Sequence, residues 1–135
     1  MNQYVKSFIN HLKKNDIKYN QEDDHVISIS FKGDNIDRVK AYVFFDEDGD
    51  PYVHLKCWTI SSFKNNVEKG LLLCNALNME YRWVRFYIDK DFDLSADMDA
   101  KIDILTCGEN CLFLVKRIAN IVDDAYPQIA KCRWE

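Results

Sequence analysis

The sequence contains little glycine, and its glycines are scattered. Its 135 residues include four glycines, at positions 33, 49, 70 and 108. A phosphate-binding loop needs several glycines within one short segment, because the backbone must approach the phosphate closely. This spacing therefore excludes a P-loop or a glycine-rich dinucleotide-binding loop built from a single segment.

An excess of positive charge and a long apolar run are also missing. The 18 lysines and arginines are outnumbered by 22 aspartates and glutamates, which gives a formal net charge of -4. Proteins that bind nucleic acid tightly usually show a basic surface, so the charge argues against that class. The polar residues after Met1 lead into no signal peptide or membrane span. We expect a cytoplasmic protein that does not act at a membrane.

The cysteines and the acidic turns do not form a metal-binding pattern. There are five cysteines, an odd number, and none are spaced as CxxC. Cys107 and Cys111 could share one side of a helix, but a zinc site needs four ligands. The acidic segment at 46–50 resembles a calcium loop, yet Pro51 and Cys57 occupy the places of its required Gly and Glu. We expect no metal, no cofactor, and reduced, mostly buried cysteines.

Length and apolar patterning predict one α+β domain over residues 1–135. Hydrophobic residues make up 47% and charged residues 30%, as in globular proteins. Apolar residues at helical spacing alternate along the chain with segments of period two. They predict a five-stranded antiparallel sheet with helices mainly on one face, in the order helix, three strands, helix, two strands, helix. Thr106 should begin the last helix, and Pro127 should kink or end it.

The predicted strands divide their side chains between two faces. If Ile27, Val43 and Leu55 point toward the helices, their neighbours point away. That second face contains aromatic residues with basic residues among them. The number of aromatic residues is larger than a solvated sheet needs. Such patches mark interfaces, although aromatic residues also simply suit strands. A one-residue slip would exchange the two faces. The predicted protein-binding face contains Tyr42, Phe44, Tyr52, His54, Trp58, Trp83, Arg85 and Tyr87.

The segment from Leu71 to Asp89, LLLCNALNMEYRWVRFYID, joins the end of a helix to an aromatic-rich strand. This stretch, the hairpin around 46–50 and the long last helix resemble the YbjN-type family, described as putative bacterial sensory transduction regulators. The resemblance covers roughly residues 1–125. It implies a fold like that of type III secretion chaperones and a bacterial cytoplasmic protein that works through binding, often as a dimer. The family brings no catalytic residues to carry over.

The sequence shows no GxSxG motif, and no histidine is spaced from a nucleophile as in a triad. We therefore expect a non-enzymatic binding or regulatory domain that acts through protein contacts, as a homodimer. Three alternatives stay open. A small-molecule sensor would need a pocket between sheet and helices. A single-stranded nucleic acid could stack on the aromatic face. An enzyme would become plausible if His54 lay within hydrogen-bond reach of a cysteine or carboxylate in a cleft.

Overall fold

The computed structural model describes residues 1–134, and over that range the chain forms three helices and six strands. The strands make one antiparallel sheet in the order β1-β2-β3-β4-β6-β5. The predicted α+β class is therefore confirmed. The elements are α1 (Gln3–Lys14), β1 (Asn20–Asp23), β2 (Val26–Phe31), β3 (Val39–Phe45), β4 (Tyr52–Ser62), α2 (Val67–Glu80), β5 (Arg85–Ile88), β6 (Asp93–Lys101) and α3 (Cys107–Trp134).

The predicted number of five strands is wrong, because β1 precedes the three strands expected first. Its sequence, NQED, is polar throughout, and all four residues are exposed. A strand without apolar residues has no period-two pattern for sequence reasoning to detect. Pairing with β2 defines this strand instead, supported by a 2.6 Å hydrogen bond from the Ser28 hydroxyl to the Glu22 carboxylate.

The expectation that Trp83 lies in the fourth predicted strand is also wrong. β5 begins at Arg85, and Trp83 adopts a positive φ of 82° that strands do not allow. β5 then lies at the edge of the sheet, because β6 pairs with both β4 and β5.

One face of the sheet is buried beneath the helices. In β2, β3 and β4 the side chains expected to face the helices do so, since Ile27, Val43 and Leu55 are fully buried. The apolar stripe of α3 packs over β3 and β4. The helix α1 packs on α3, and its Phe8 ring lies against the ring of Phe45 in β3. Each large aliphatic side chain buried in this way stabilises the fold by about 1.5–3 kcal/mol. The α3 side chains in this core are Cys107, Cys111, Leu114, Val115, Ile118, Ala119, Ile121, Val122, Ala125 and Ile129.

Of the two outcomes predicted at Pro127, an end of α3 is wrong, because the helix continues to Trp134. Proline lacks the N–H that would bond to the carbonyl four residues earlier. That carbonyl belongs to Asp123, and it accepts a 3.0 Å hydrogen bond from the Asn35 side chain instead. A residue from a distant loop thus replaces the missing helical bond, which local sequence rules do not consider.

The side chain of Asp123 holds the same loop. Its carboxylate accepts hydrogen bonds of 2.9 Å from the backbone N–H groups of Asp34, Asn35 and Ile36. Burial alone would raise the pKa of Asp123, but these three bonds together lower it below its ordinary value. Gly33 is required here, because a Cβ at that position would lie 2.3 Å from an Asp123 carboxylate oxygen.

The helix α2 protects the edge of β5. The Asn78 amide donates a 3.0 Å hydrogen bond to the Phe86 carbonyl and accepts a 2.8 Å bond from the Phe86 N–H. Gly70 allows this close approach, since a Cβ there would lie 2.9 Å from atoms of Phe63 and Ile88. The helix begins after Asn66, whose side chain accepts from the Lys69 N–H.

We predict that Asp123→Asn destabilises the protein in a pH-dependent way. Because the folded-state pKa is lowered, the carboxylate stabilises the fold fully above its unfolded pKa of about 3.9, and this is lost as pH falls through the folded-state pKa. Near neutral pH the variant should lose about 1–2 kcal/mol. Urea unfolding across a pH series should show the difference shrinking in acid. Asp37→Asn, in the same loop, should change little, and a pH-independent difference would contradict the assignment.

We also predict that Asn78→Ala weakens the β5 edge. The variant loses both bonds to Phe86, which should lower the free energy of unfolding by about 1 kcal/mol. Hydrogen exchange at the Phe86 amide should become faster. Asn75→Ala is the matched control on the same helix, because its side chain contacts only the Met79 sulfur, at 3.8 Å. Equal effects of the two substitutions would refute a specific role for Asn78.

Candidate protein-binding face

The sheet surface turned away from α3 brings together seven of the eight residues predicted for a binding face. We call it the open face. β3 and β4 contribute most of it, and Arg85 and Tyr87 of β5 complete it, because β6 connects the two parts. The seven residues are Tyr42, Phe44, Tyr52, His54, Trp58, Arg85 and Tyr87.

Trp58 is at the centre of an aromatic cluster on the open face. Its ring centroid lies 4.7 Å from that of Tyr42 and 5.5 Å from that of Phe44, while the Lys56 ammonium lies 5.2 Å above it. The register of β4 against β6 shifts just after Cys57, and Thr59 has a positive φ of 52°. Trp58 thus lies at a strand irregularity, a feature that often redirects neighbouring side chains. Trp58 remains 42% exposed.

A row of charged side chains crosses the open face beside this cluster. Arg85 donates two hydrogen bonds, of 3.0 and 2.8 Å, to the buried carboxylate of Asp97. The hydrogen bond to Asp97 raises the pKa of Arg85 above its ordinary value. His54 lies 3.4 Å from Asp97 through Nε2 and contacts Asp99 through Nδ1. Sequence reasoning missed Asp97 as a site residue, because only the sheet order brings it between His54 and Arg85.

Tyr87 lies beside this row. The Arg85 guanidinium is 4.7 Å from the centroid of the Tyr87 ring. Burial raises the pKa of the Tyr87 hydroxyl. The Arg85 guanidinium therefore contacts an aromatic ring and a carboxylate at the same time, and both partners stabilise its positive charge.

A cleft of about 700 Å³ opens where the β3–β4 hairpin meets the open face. We call it the hairpin cleft. It shares Phe44, Tyr52 and His54 with the predicted binding face, and acidic residues surround it. The lining residues are His25, Phe44, Phe45, Asp46, Glu47, Asp48, Tyr52, Val53, His54, Asp99, Ala100 and Lys101.

In this cleft His54 contacts the carboxylate of Asp99, which is the arrangement that would make an enzyme plausible. A histidine oriented by a carboxylate can act as a general base toward water. The residues that line the cleft include no serine, threonine or cysteine that it could activate. Cys57 lies on the opposite, core side of β4, and burial raises the pKa of its thiol to about 12. A covalent mechanism through these residues is therefore not supported.

Trp83, the eighth predicted residue, lies away from the open face. Its ring centroid is 6.0 Å from that of Phe113 in α3, and the Arg117 guanidinium lies 5.7 Å from it. The alternation of aromatic residues along 81–87 placed it wrongly, because the strand begins only after it. Its indole is 53% exposed, much like that of Trp58.

The remaining cysteines are mostly inaccessible. Cys107 and Cys111 are fully buried, with sulfur atoms 3.9 Å apart, and hydrogen bonding to Cys107 together with burial raises the pKa of Cys111. Burial raises the pKa of Cys74 to about 11. All five thiols are free, and Cys132 is half-buried. Across residues 1–134, no group of three or more His, Cys, Asp or Glu side chains is arranged to hold a metal ion.

The chain belongs to the YbjN family, described as "Putative bacterial sensory transduction regulator", whose model matches residues 6–131. Its fold is similar to that in the crystal structure of YbjN, described as a putative transcription regulator from E. coli. The TM-score is 0.62 with 10% identity, and the match covers 92% of each chain. None of the curated proteins matches this chain. None of the helices within residues 1–134 is long and apolar enough to cross a membrane.

We predict that Cys132 reacts first with iodoacetamide in the native protein. It is half-buried, whereas the other four thiols are buried, and the pKa values of Cys57 and Cys74 are raised. Intact-mass analysis at mildly alkaline pH should show one early addition, absent in Cys132→Ser. The other four should react only after unfolding in urea. Several early additions to the folded protein would contradict the burial of these thiols.

Proposed function

We propose that this protein is a non-enzymatic regulatory domain that binds protein through its open face, and that it associates as a homodimer. The observation that carries the proposal is the aromatic cluster around Trp58, a residue that remains 42% exposed on the open face. Tryptophan, tyrosine and arginine are the residue types that contribute most to binding energy at protein interfaces. The chain belongs to a family described as "Putative bacterial sensory transduction regulator", and this is consistent with the proposed role.

The arrangement of the open face suits an interface better than a solvated surface. The buried carboxylate of Asp97 is already compensated by Arg85, so a partner can cover this region without leaving a charge unpaired. Around it, exposed aromatic rings offer apolar area with few rotatable bonds, which limits the entropy lost on binding. The proposal treats the chain as one domain with a fold like that of type III secretion chaperones.

We further propose a bacterial cytoplasmic location. The support is the set of five free cysteines, four of them buried, because disulfides are rare where cellular reductants keep thiols reduced. The partner is then another cytoplasmic protein or a second copy of this chain. The net charge of -4 continues to argue against nucleic acid as the partner.

Small-molecule sensing is the second candidate function, and the hairpin cleft is the observation that favours it. Ligand sites usually measure about 300–1,000 Å³, and the cleft falls in that range. The cavity between the sheet and α3, lined in part by Val39, Cys57 and Tyr126, measures about 170 Å³. A sensor would therefore use the hairpin cleft rather than the expected space between sheet and helices.

We predict that Trp58→Ser weakens self-association at least tenfold, whereas Trp83→Ser does not. The two indoles are similarly exposed but lie on different surfaces, so the second variant controls for loss of an exposed tryptophan. Light scattering coupled to size exclusion over a concentration series measures the effect. Loss of the contacts with Tyr42 and Phe44 should cost only about 1 kcal/mol of stability, which circular dichroism can check.

Two outcomes would overturn the proposal. A wild-type protein that stays monomeric at high micromolar concentration would remove the homodimer. If Trp58→Ser and Trp83→Ser also retained the same partners in a pull-down from bacterial extract, the open face would not be the binding surface. A collapse of the unfolding midpoint in Trp58→Ser would instead place that residue in the core.

A further inference from the structure

The hairpin cleft joins an apolar floor to an acidic rim. Phe44 and Tyr52 supply apolar surface, and Tyr52 is 55% exposed. Four carboxylates line the cleft, from Asp46, Glu47, Asp48 and Asp99, against a single lysine, Lys101. A bound group that is both apolar and cationic would match this lining in shape and in charge.

The carboxylates differ in how far the protein already uses them. Asp46 stabilises the hairpin turn, because one of its oxygens accepts 3.1 Å hydrogen bonds from the N–H groups of Asp48 and Asp50. Glu47 lies 3.1 Å from His25, and Asp99 contacts His54. Each of these two carboxylates makes its contact through one oxygen, so the other oxygen can accept from a ligand. Both side chains are largely exposed to the cleft opening.

The open face already contains one cation, Arg85, that is bound by a carboxylate and an aromatic ring, the same two groups that line the cleft. The Arg85 guanidinium makes two hydrogen bonds to Asp97 while lying 4.7 Å from the centre of the Tyr87 ring. In the cleft, aromatic rings and carboxylates are again side by side. An arginine can form two parallel hydrogen bonds to a carboxylate and stack on a ring, which an ammonium cannot do equally well.

We propose that the hairpin cleft binds an arginine side chain of a partner protein, whose neighbouring apolar residues lie on the aromatic cluster around Trp58. The proposal rests on the protein-binding function of the open face and adds the chemistry of the partner. Phe44 carries the connection between the two regions, because its ring lines the cleft and also lies 5.5 Å from the Trp58 ring. One extended peptide can therefore occupy both regions, with its arginine in the acidic cleft.

Three short fluorescein-labelled peptides test this proposal. Each alternates leucine with a second residue, which is arginine, glutamine or glutamate. Fluorescence polarisation should show the arginine peptide binding the wild-type protein at least tenfold more tightly than the glutamine peptide, and the glutamate peptide binding least. The double variant Glu47→Gln/Asp99→Asn should weaken the arginine peptide roughly tenfold, because both acceptors at the rim lose their charge.

The matched control is Asp16→Asn/Asp37→Asn, which removes the same formal charge from exposed positions outside the cleft. Equal weakening in the two double variants would mean general electrostatic attraction and would overturn the proposal. Equal affinity for the arginine and glutamine peptides would overturn it too. If butylguanidinium alone bound as tightly as the arginine peptide, the occupant would be a small cation and the partner-protein assignment would be wrong.

The same measurements separate this proposal from the proposed function. If the glutamine peptide bound equally well and Trp58→Ser abolished its binding, the open face would still bind protein, but the assignment of arginine to the cleft would be wrong. If no peptide bound and Trp58→Ser left self-association unchanged, both proposals would be overturned.

Discussion

The packing of α3 across one face of the sheet is the constraint on which the rest of the structure depends. It uses every second side chain of β3 and of β4 as far as Cys57, together with most of the apolar residues of the helix itself. The alternate side chains must then point away from the helix. An exposed surface rich in aromatic residues is thus a geometric result of where the helices lie, and its composition is what distinguishes it from an ordinary solvated sheet.

Hydrogen bonds and ion pairs of two carboxylates add to the stabilisation that apolar packing provides. Asp123 fixes the loop between β2 and β3 to α3 through its side chain, and its backbone carbonyl accepts from Asn35 where Pro127 cannot donate. On the open face, Arg85 neutralises the buried carboxylate of Asp97. In both places a carboxylate accepts hydrogen bonds from several donors at once, so its position is well defined.

Much of this fold follows from the spacing of apolar residues. The face assignments of β2, β3 and β4 follow from it, because burial on one side imposes a period that the sequence must carry. β1 does not follow, since a polar edge strand carries no such period. Trp83 was misplaced because the alternation of aromatic residues begins before the strand does, and β5 starts only at Arg85. The hairpin cleft and Asp97 depend on the order of strands in the sheet, which local patterns do not encode.

The contact between Asn78 and Phe86 also limits how copies of this chain can assemble. A partner that extends a sheet by adding a strand needs free N–H and C=O groups along an edge. At β5 those of Phe86 are already engaged, and α2 stands beside them. This leaves β1 as the edge open to such addition. With one usable edge per molecule, a sheet continued between copies would close as a pair and could not grow into a fibre.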